Sequence, residues 1–292
     1  MKLHSKNIFV SVSAGYSSVM MAVKMKEWYP DHDIVYGMAN TSKEKPESLE
    51  FMQNCADHFG FNLVWIEAVI NKQKGVGTGY RVVQYKDLKR NGEIFAEGIP
   101  VYGIPSRVNK WCNRDLKKIP MTKFCNDYFN GQPYSVAIGI RTDEIDRVSS
   151  KYKENNIFYP LIENKVDSRE RNKFWKNQPI QIRIKAYQGN CDFCFEKSLR
   201  KLMTIHSEDS TVIDWWMDQF NQYGTTKIEG KNQYNEMIDN YGYVNFLREN
   251  ITFEELIEMS KQPFSKATDE YIYESDLFDQ EDDCGSGCVI WK

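Results

Sequence analysis

The side chains in this sequence with the most distinctive chemistry are its 7 cysteines. Cys191 and Cys194 form a C-x-x-C motif, and Cys284 and Cys288 form a second close pair. A chain of 292 residues can bury a sizeable core without disulfides, and cysteines in a reducing compartment remain thiols. The two clusters therefore predict metal binding or thiol chemistry instead of disulfide bonds.

The C-x-x-C motif by itself leaves four interpretations open: an iron–sulfur cluster, a structural zinc site, a redox-active dithiol and two inert thiols. Its spacing lets two thiolates face one ion, but zinc sites and iron–sulfur clusters take four protein ligands. Cys55 and Cys125 fall in apolar helical patterns instead, which is typical of buried core cysteines.

Three short polar loops follow apolar, strand-like segments, at residues 13–18, 40–44 and 141–144. The carboxyl ends of parallel strands meet at one edge of an α/β sheet, where ligands bind. Small residues and hydroxyls beside a helix N-terminus suit an anion, as in the first of these loops, S-A-G-Y-S-S. Each loop alone is typical of an ordinary turn, but the three together predict a ligand-binding site at this edge of the sheet.

The elements that must position these loops alternate between strand and helix patterns in the first half of the chain. This rhythm predicts an α/β fold with a parallel sheet and right-handed crossovers. After about residue 150 the strand patterns fade and helical patterns dominate. The predicted strands span residues 7–13, 33–39, 61–66 and 135–140. The predicted helices span residues 17–28, 46–59, 122–129, 195–206, 211–220, 234–247 and 253–260.

Composition excludes several classes of protein. With 38 basic and 41 acidic residues the net charge is −3, which argues against a generally basic nucleic-acid binder. No apolar run approaches the length of a membrane span, so we expect a soluble, cytoplasmic protein with no membrane partner. The basic run at residues 169–176 fits either a nucleic-acid contact or a helix that packs Phe174 and Trp175 inward.

The motifs, taken in order, resemble the phosphoadenosine phosphosulfate reductase family of the PP-loop (adenine-nucleotide α-hydrolase-like) superfamily, especially its short phage- and bacteria-type members. The matching segments are SAGYSS, MANTSKEKPESLEFMQNC, RNGEIF with YGIP, WCNRDLKKIP, IGIRTDEIDR, YPLIENKV and GNCDFCFEKSLRKLM.

The resemblance implies a Rossmann-like PP-loop domain, with helices on both faces of the sheet, over residues 1–150, including an insertion at about 71–134. A mainly helical region, 151–292, would carry the C-x-x-C motif and an acidic, cysteine-containing tail. The expected ligand is ATP or a related adenine nucleotide, with Mg²⁺ as a candidate companion.

The resemblance also assigns candidate roles to the three loops. The phosphates would lie on Ser13, Gly15, Ser17 and Ser18, and the ribose or base near Thr41, Lys43 and Glu44. The catalytic candidates are Arg141, as a phosphate or sulfate contact, Asp143 and Glu144, which would orient it or bind Mg²⁺, and Arg114. The loop departs from the family pattern at Ala14, Tyr16 and Ser17, and Tyr16 stands where a basic residue is frequent.

The same resemblance extends the thiol site. Cys112 matches a family cysteine and would be a third metal ligand beside Cys191 and Cys194, with Cys284 or Cys288 as the fourth. A 4Fe-4S cluster is favoured over zinc. Cys284-Gly285 loosely resembles the reactive tail cysteine of sulfonucleotide reductases, but Asp282 and Asp283 would raise its pKa.

The predicted function is nucleotide-dependent activation or sulfur transfer by an enzyme of this family. Two alternatives stay open: reduction of phosphoadenosine phosphosulfate with a tail cysteine, and a non-catalytic nucleotide-binding or regulatory module. Candidate partners are the small-molecule nucleotide and either a nucleic acid or a sulfur-donor protein.

Overall fold

The computed structural model describes residues 5–73 and 76–269. Within them, strands and helices alternate as far as the third strand, and helices dominate the remainder. The strands are β1 (Asn7–Ser11), β2 (Asp33–Asn40), β3 (Leu63–Val69), β4 (Gly79–Val83), β5 (Tyr134–Ile138) and β6 (Ile157–Phe158). The α-helices are α1 (Tyr16–Trp28), α2 (Pro46–Phe59), α3 (Glu93–Tyr102), α4 (Trp111–Asn113), α5 (Ile119–Tyr128), α6 (Pro160–Glu163), α7 (Ser168–Lys176), α8 (Leu199–Glu208), α9 (Asp214–Tyr223), α10 (Asn232–Tyr241) and α11 (Phe253–Lys261).

The six strands form one sheet in the order β4-β3-β2-β1-β5-β6. All neighbours are parallel except β3 and β4, which pair antiparallel at one edge. The chain proceeds from β1 outward to β4 at one edge, then returns to the other side of β1 for β5 and β6. The direction of winding therefore reverses between β1 and β5, and this switch point is where open α/β sheets bind ligands.

Alternation of side chains along the strands gives the sheet two buried faces. In β1, Ile8 and Val10 pack with α1 and α2, whereas Phe9 points to the opposite face, beside Phe124 of α5. Apolar residues that alternate in this way stay buried on both sides only if helices cover both faces. The predicted α/β fold, with a Rossmann-like parallel sheet between helices and a mainly helical C-terminal part, is confirmed.

Local sequence signals set the ends of several helices. Pro46 opens α2 because its fixed φ suits the first helical turn, and Gly60 ends the helix in the left-handed conformation at φ 68°. The helix predicted for residues 234–247 ends earlier, at Tyr241, because Gly242 adopts φ 81°. The helix predicted from residue 195 begins at Leu199, where Ser198 caps it through the amide of Lys201.

The segment predicted as an insertion, residues 71–134, contains more regular structure than its weak periodicity indicates. It includes β4, α3 and a π-helical stretch, Arg114–Lys118, that joins α4 to α5. Phe95 and Trp111 from this segment pack with Phe193 and Phe246 in a second hydrophobic cluster. The insertion and the C-terminal helices thus share one core.

The division near residue 150 stays a prediction, but the packing crosses it. The last strand, β6, lies beyond that residue, and Phe158, Leu161 and Trp175 belong to the same cluster as α1 and α2. Within the described residues, no helix has both the length and the apolar character needed to span a membrane.

Candidate functional site

A cleft of about 220 Å³ opens at the carboxyl ends of β1, β2 and β5, beside the switch point of the sheet. Its wall includes the loop after β1 (the first loop, residues 13–18), Glu44 from the loop after β2 (the second loop, residues 40–44), and Arg141 and Glu144 from the loop after β5 (the third loop, residues 141–144). The three loops that the sequence indicated therefore meet at one edge of the sheet.

The first loop leads directly into the N-terminus of α1. Gly15 is the N-cap residue and accepts the first helical hydrogen bond, from the Val19 amide to the Gly15 carbonyl, at 3.0 Å. The Ser13 amide donates to Ser18 Oγ at 2.9 Å, which folds the loop back on the helix. A Cβ on Gly15 would meet only Ser13 Oγ, at 3.9 Å. Packing does not require glycine here, so its absent side chain leaves space for a ligand close to the backbone.

Gly139 holds the third loop against the first. A Cβ at this position would lie 2.8 Å from Ser18 Cα and 3.3 Å from the Ser17 carbonyl oxygen. Both are backbone atoms that cannot turn away. The residue after β5 must therefore be glycine if the two loops are to approach this closely.

Arg141 is the centre of a hydrogen-bond network in the third loop. Its Nη1 donates to Ser17 Oγ at 2.7 Å, and its Nε and Nη2 hold the two carboxylate oxygens of Asp143 at 2.9 and 3.0 Å. Glu144 accepts from the Arg141 amide at 3.1 Å and also pairs with Arg147. Burial alone would raise the pKa of Asp143, but its bonds to Arg141 outweigh this and hold the pKa below the usual 3.8. Both acids therefore contact arginines in this structure, and their roles in orienting Arg141 or binding Mg²⁺ stay predictions.

The described lining of the cleft carries a surplus of positive charge. Carboxylates come from Glu44 and Glu144 alone. The cations in the lining are Lys117, Arg141, Arg147, Arg171 and Lys201. Such a surface favours a ligand with several negative charges.

Arg114, the fourth catalytic candidate, lies outside this lining. Its guanidinium pairs with the buried carboxylate of Asp115 at 2.8 Å, and Asp115 also accepts from Thr78 Oγ1 at 3.0 Å. Three residues further along the π-helical stretch, Lys117 does line the cleft. A π-helical insertion shifts the register of side chains around a helix and often occurs at functional sites.

Tyr16 is anchored in the protein interior and is 8% exposed. Its ring stacks on Trp175 at 4.6 Å between centroids and meets the edge of Phe51 at 5.6 Å. Its hydroxyl donates to Gln181 Oε1 at 2.8 Å and accepts from the Ile182 amide at 3.2 Å. Burial raises its pKa, so the phenol stays neutral. Tyr16, at the loop position where the resembled family frequently has a basic residue, therefore packs in the interior instead of carrying a charge.

The second loop connects the cleft to the C-x-x-C segment (residues 189–197). Thr41 Oγ1 donates to Glu44 Oε1 at 2.8 Å and lies 3.5 Å from Cys191 Sγ. Lys43 Nζ pairs with Asp192 Oδ2 at 2.7 Å, and Glu44 and Cys191 form an antiparallel bridge. Of the three candidates for ribose or base binding, Glu44 lines the cleft, while Thr41 and Lys43 hold the C-x-x-C segment.

The described cysteines fall into two groups. Cys55 and Cys125 are fully buried against the sheet, and burial raises the pKa of Cys55 to about 12. Cys191 and Cys194 belong to the second hydrophobic cluster and Cys112 packs against it. Of the three, Cys191 contacts Thr41 and Glu44 of the second loop. The predicted ligands Cys284 and Cys288 lie outside the described residues. In the part of the chain that is described, no three His, Cys, Asp or Glu side chains are grouped so as to hold one metal ion.

Three cations of the cleft come from segments to which the sequence gave no site role or only an auxiliary one. Lys117 lies in the WCNRDLKKIP segment, Lys201 follows the C-x-x-C motif by seven residues, and Arg171 belongs to the basic run at residues 169–176. That run does form a helix, α7, with Trp175 buried, but Arg171 is also buried, at 7% exposure. Its spacing of four residues from Trp175, which puts both on one helix face, is the signal that could have found it.

Comparison with known proteins gives weak similarities, and no protein-family model matches the chain. The chain is 29% identical over 197 residues to the uncharacterized nin region protein ORF290 of Escherichia phage lambda, over 66% of this chain and 67% of that protein. It is 25% identical over 155 residues to the uncharacterized protein MJ0066 of Methanocaldococcus jannaschii, over 52% of this chain but 27% of that protein.

Among the solved structures that resemble the chain, one covers most of its length. It is the U34-tRNA thiolase NcsA from Methanococcus maripaludis with its 4Fe-4S cluster, at 14% identity and a TM-score of 0.40, over 97% of this chain and 80% of that one. A superposition this loose carries no argument about function. Membership of the phosphoadenosine phosphosulfate reductase family is not shown by these matches, so function must be argued from the cleft itself.

Proposed function

We propose that this protein binds ATP or a related adenine nucleotide in the cleft and uses it for nucleotide-dependent activation or sulfur transfer. The observation that carries this proposal is the cationic cleft at the switch point of the sheet, with the first loop and the N-terminus of α1 in its wall. Helix N-termini, small-residue loops and arginines are the groups that bind phosphates in proteins.

The phosphates would lie on the first loop. Ser13, Gly15, Ser17 and Ser18 all line this part of the cleft. Arg141 already holds Ser17 and would bind a phosphate oxygen from the third loop. Glu44, at the opposite side, would accept hydrogen bonds from the ribose or base, with Thr41 and Lys43 fixing its loop from behind.

The thiols would serve the sulfur-transfer part of this function. Gly189 and Asn190 line the cleft immediately before Cys191, so the C-x-x-C segment adjoins the nucleotide site. Iron–sulfur or zinc binding by Cys112, Cys191, Cys194 and a tail cysteine stays a prediction. The assignment of the cleft does not depend on it.

Calorimetric titration with ATP, combined with assays for AMP, ADP and pyrophosphate, tests the nucleotide proposal. Wild-type protein should bind ATP, and Arg141→Gln should bind it about 10-fold or more weakly, because a charge-assisted hydrogen bond is lost. Arg107→Gln, which removes an exposed arginine outside the cleft, is the matched control and should bind as wild type.

The outcomes separate the candidate functions. No ATP binding by the wild type would contradict the proposal. Binding without turnover, under anaerobic conditions and with candidate acceptors, would favour the non-catalytic module, which the uncharged first loop also suits. Release of sulfite from phosphoadenosine phosphosulfate would favour reduction instead.

Anaerobic purification with quantification of iron, zinc and acid-labile sulfide tests the thiol prediction. Stoichiometric iron and sulfide, lost in Cys191→Ala but retained in Cys55→Ala, would support an iron–sulfur cluster. Protein that holds neither metal would contradict the predicted ligand set while leaving the nucleotide proposal intact.

A further inference from the structure

The first loop contains no basic residue, yet it forms one wall of the cleft proposed to bind phosphates. Its one large side chain, Tyr16, is directed into the aromatic packing with Phe51 and Trp175. A positive charge next to this loop must therefore come from another element, and a phosphate-transfer site gains from such a charge.

Helix α7 is fastened to the first loop through Trp175. The Trp175 indole stacks on Tyr16, and its Nε1 donates to the Tyr16 carbonyl oxygen at 3.0 Å. The Tyr16 hydroxyl in turn bonds Gln181 and the Ile182 amide, on the chain that leaves α7. Both ends of the tyrosine thus fix the position of α7 relative to the first loop.

Arg171 lies one helical turn before Trp175 on the same face of α7, and it lines the cleft. Its Nε and Nη2 donate to Asn172 Oδ1 at 2.9 and 2.7 Å, which sets the plane of the guanidinium. Burial raises the pKa of Tyr16, and the charge of Arg171 is among the influences that lower it. Arg171 is buried at 7% exposure and belongs to the cleft rather than to the outer surface of α7.

We propose that Arg171 binds a phosphate oxygen of the nucleotide and, together with Arg141, supplies the positive charge that the first loop lacks, with Tyr16 and Trp175 as the residues that position Arg171. This inference rests on the proposed nucleotide function. Where a basic residue is frequent in the loop, this chain has Tyr16, whose contacts with Trp175 fix α7. A cation at the cleft is then Arg171 of α7.

Titration of wild type, Arg171→Gln and Arg171→Lys with ATP and with adenosine tests the inference. Arg171→Gln should weaken ATP binding about 10-fold or more and leave adenosine binding unchanged, because only ATP carries phosphates. Arg171→Lys, which keeps the charge but not the planar fork, should recover part of the loss. Arg169→Gln, on the exposed side of the same helix, is the matched control and should bind both ligands as wild type.

A measurement on the unaltered protein covers the case in which Arg171→Gln does not fold. The side-chain Nε–H signal of Arg171 in ¹⁵N NMR, assigned with Arg171→Lys, should shift on addition of ATP and stay in place with adenosine. Wild type that binds ATP without this shift, or Arg171→Gln that binds ATP normally, would overturn the role of Arg171 alone. Wild type that binds no nucleotide would overturn the proposed function as well.

Discussion

At the scale of single residues, Arg141 connects two loops that are 124 positions apart in sequence. It bonds Ser17 in the first loop while Asp143 and Glu144 hold its guanidinium from the third. The carboxylates keep the arginine in one orientation before any ligand arrives. This arrangement lowers the conformational entropy that binding would otherwise cost.

The ion pair between Arg141 and Asp143 should give stability a specific dependence on pH. Since Arg141 holds the pKa of Asp143 below 3.8 in the folded state, the pair stabilises the fold above that pH and less as pH falls through the folded-state value. Urea unfolding of wild type and Asp143→Asn should show a stability difference at pH 6 that shrinks below about pH 4. Asp146→Asn, in the same turn, is the control, and a difference that does not change with pH would contradict the assignment.

Gly139 is a second position where one atom decides the geometry of the site. Gly139→Ala should lower the free energy of unfolding by about 2 kcal/mol, because the new Cβ would overlap the backbone of Ser18. ATP affinity should fall with it, since the N-terminus of α1 must move. Chemical denaturation and calorimetry measure the two effects.

Gly79→Ala is the matched control for this substitution. Its Cβ would lie 3.5 Å from Val69 Cβ, an ordinary contact, so little change in stability or affinity is expected. If Gly139→Ala and Gly79→Ala had the same stability and ATP affinity, the first and third loops would not need the close approach at Gly139.

At the scale of elements, the second loop connects the sheet to the C-terminal region through hydrogen bonds and an ion pair. Ser42 adopts φ 68°, its carbonyl accepts from the Gly92 amide at 2.8 Å, and its hydroxyl accepts from the Ile94 amide at 3.0 Å. The loop thereby holds the start of α3 on one side and the C-x-x-C segment on the other. Lys197 reinforces that segment by donating to the carbonyls of Gly189 and Cys191.

The ion pair between Lys43 and Asp192 should contribute substantially to the stability of the contact between the second loop and the C-x-x-C segment. Lys43 is 8% exposed and packs over Trp215 at 4.6 Å, and Asp192 also accepts from Trp216 Nε1 at 2.9 Å. Asp192→Asn leaves a buried ammonium without its counter-charge and should lower the free energy of unfolding by about 3 kcal/mol.

The double variant Lys43→Met, Asp192→Asn should recover part of that loss, because it removes the unpaired charge. Lys6→Met, which breaks an exposed pair with Asp33, should have a much smaller effect. Denaturant unfolding of these variants measures the coupling, and strictly additive losses would contradict the ion-pair account.

At the scale of the whole molecule, neither half of the chain has a core of its own. Phe158, Leu161 and Trp175, all from beyond residue 150, pack in one cluster with residues of β1, α1 and α2, and α3 packs against the C-terminal helices. The cleft has the same dual origin, since the first loop comes from the sheet and Lys201 from α8. Folding of both parts is therefore required to form the site.

A fragment of residues 1–150 should accordingly fail to fold cooperatively. It exposes the rings of Tyr16 and Phe51, which Trp175 covers in the intact chain, and the ring of Phe95 in α3, which contacts Trp215 and Trp216. Thermal unfolding followed by circular dichroism, with the intact chain as reference, should show no sharp transition for the fragment. A cooperative transition would instead support a separate domain ending near residue 150.

The sequence alone determined the α/β fold and the place of the site, because both follow from local patterns. Alternating strands and helices impose the parallel sheet, and parallel strands bring their loops to one edge whatever the side chains do. This is why the first and third loops were predicted as neighbours.

Only the tertiary structure decided which side chains surround the cleft. Tyr16 packs against Trp175 at a position where a basic residue is frequent, and Arg171 of α7 lines the cleft. Thr41 and Lys43 contact the C-x-x-C segment instead of facing the cleft. These are contacts between residues more than a hundred positions apart, and they depend on how helices pack across the sheet. Periodicity in the sequence indicates which face of a helix or strand is buried, but it does not indicate which residues of other elements contact that face.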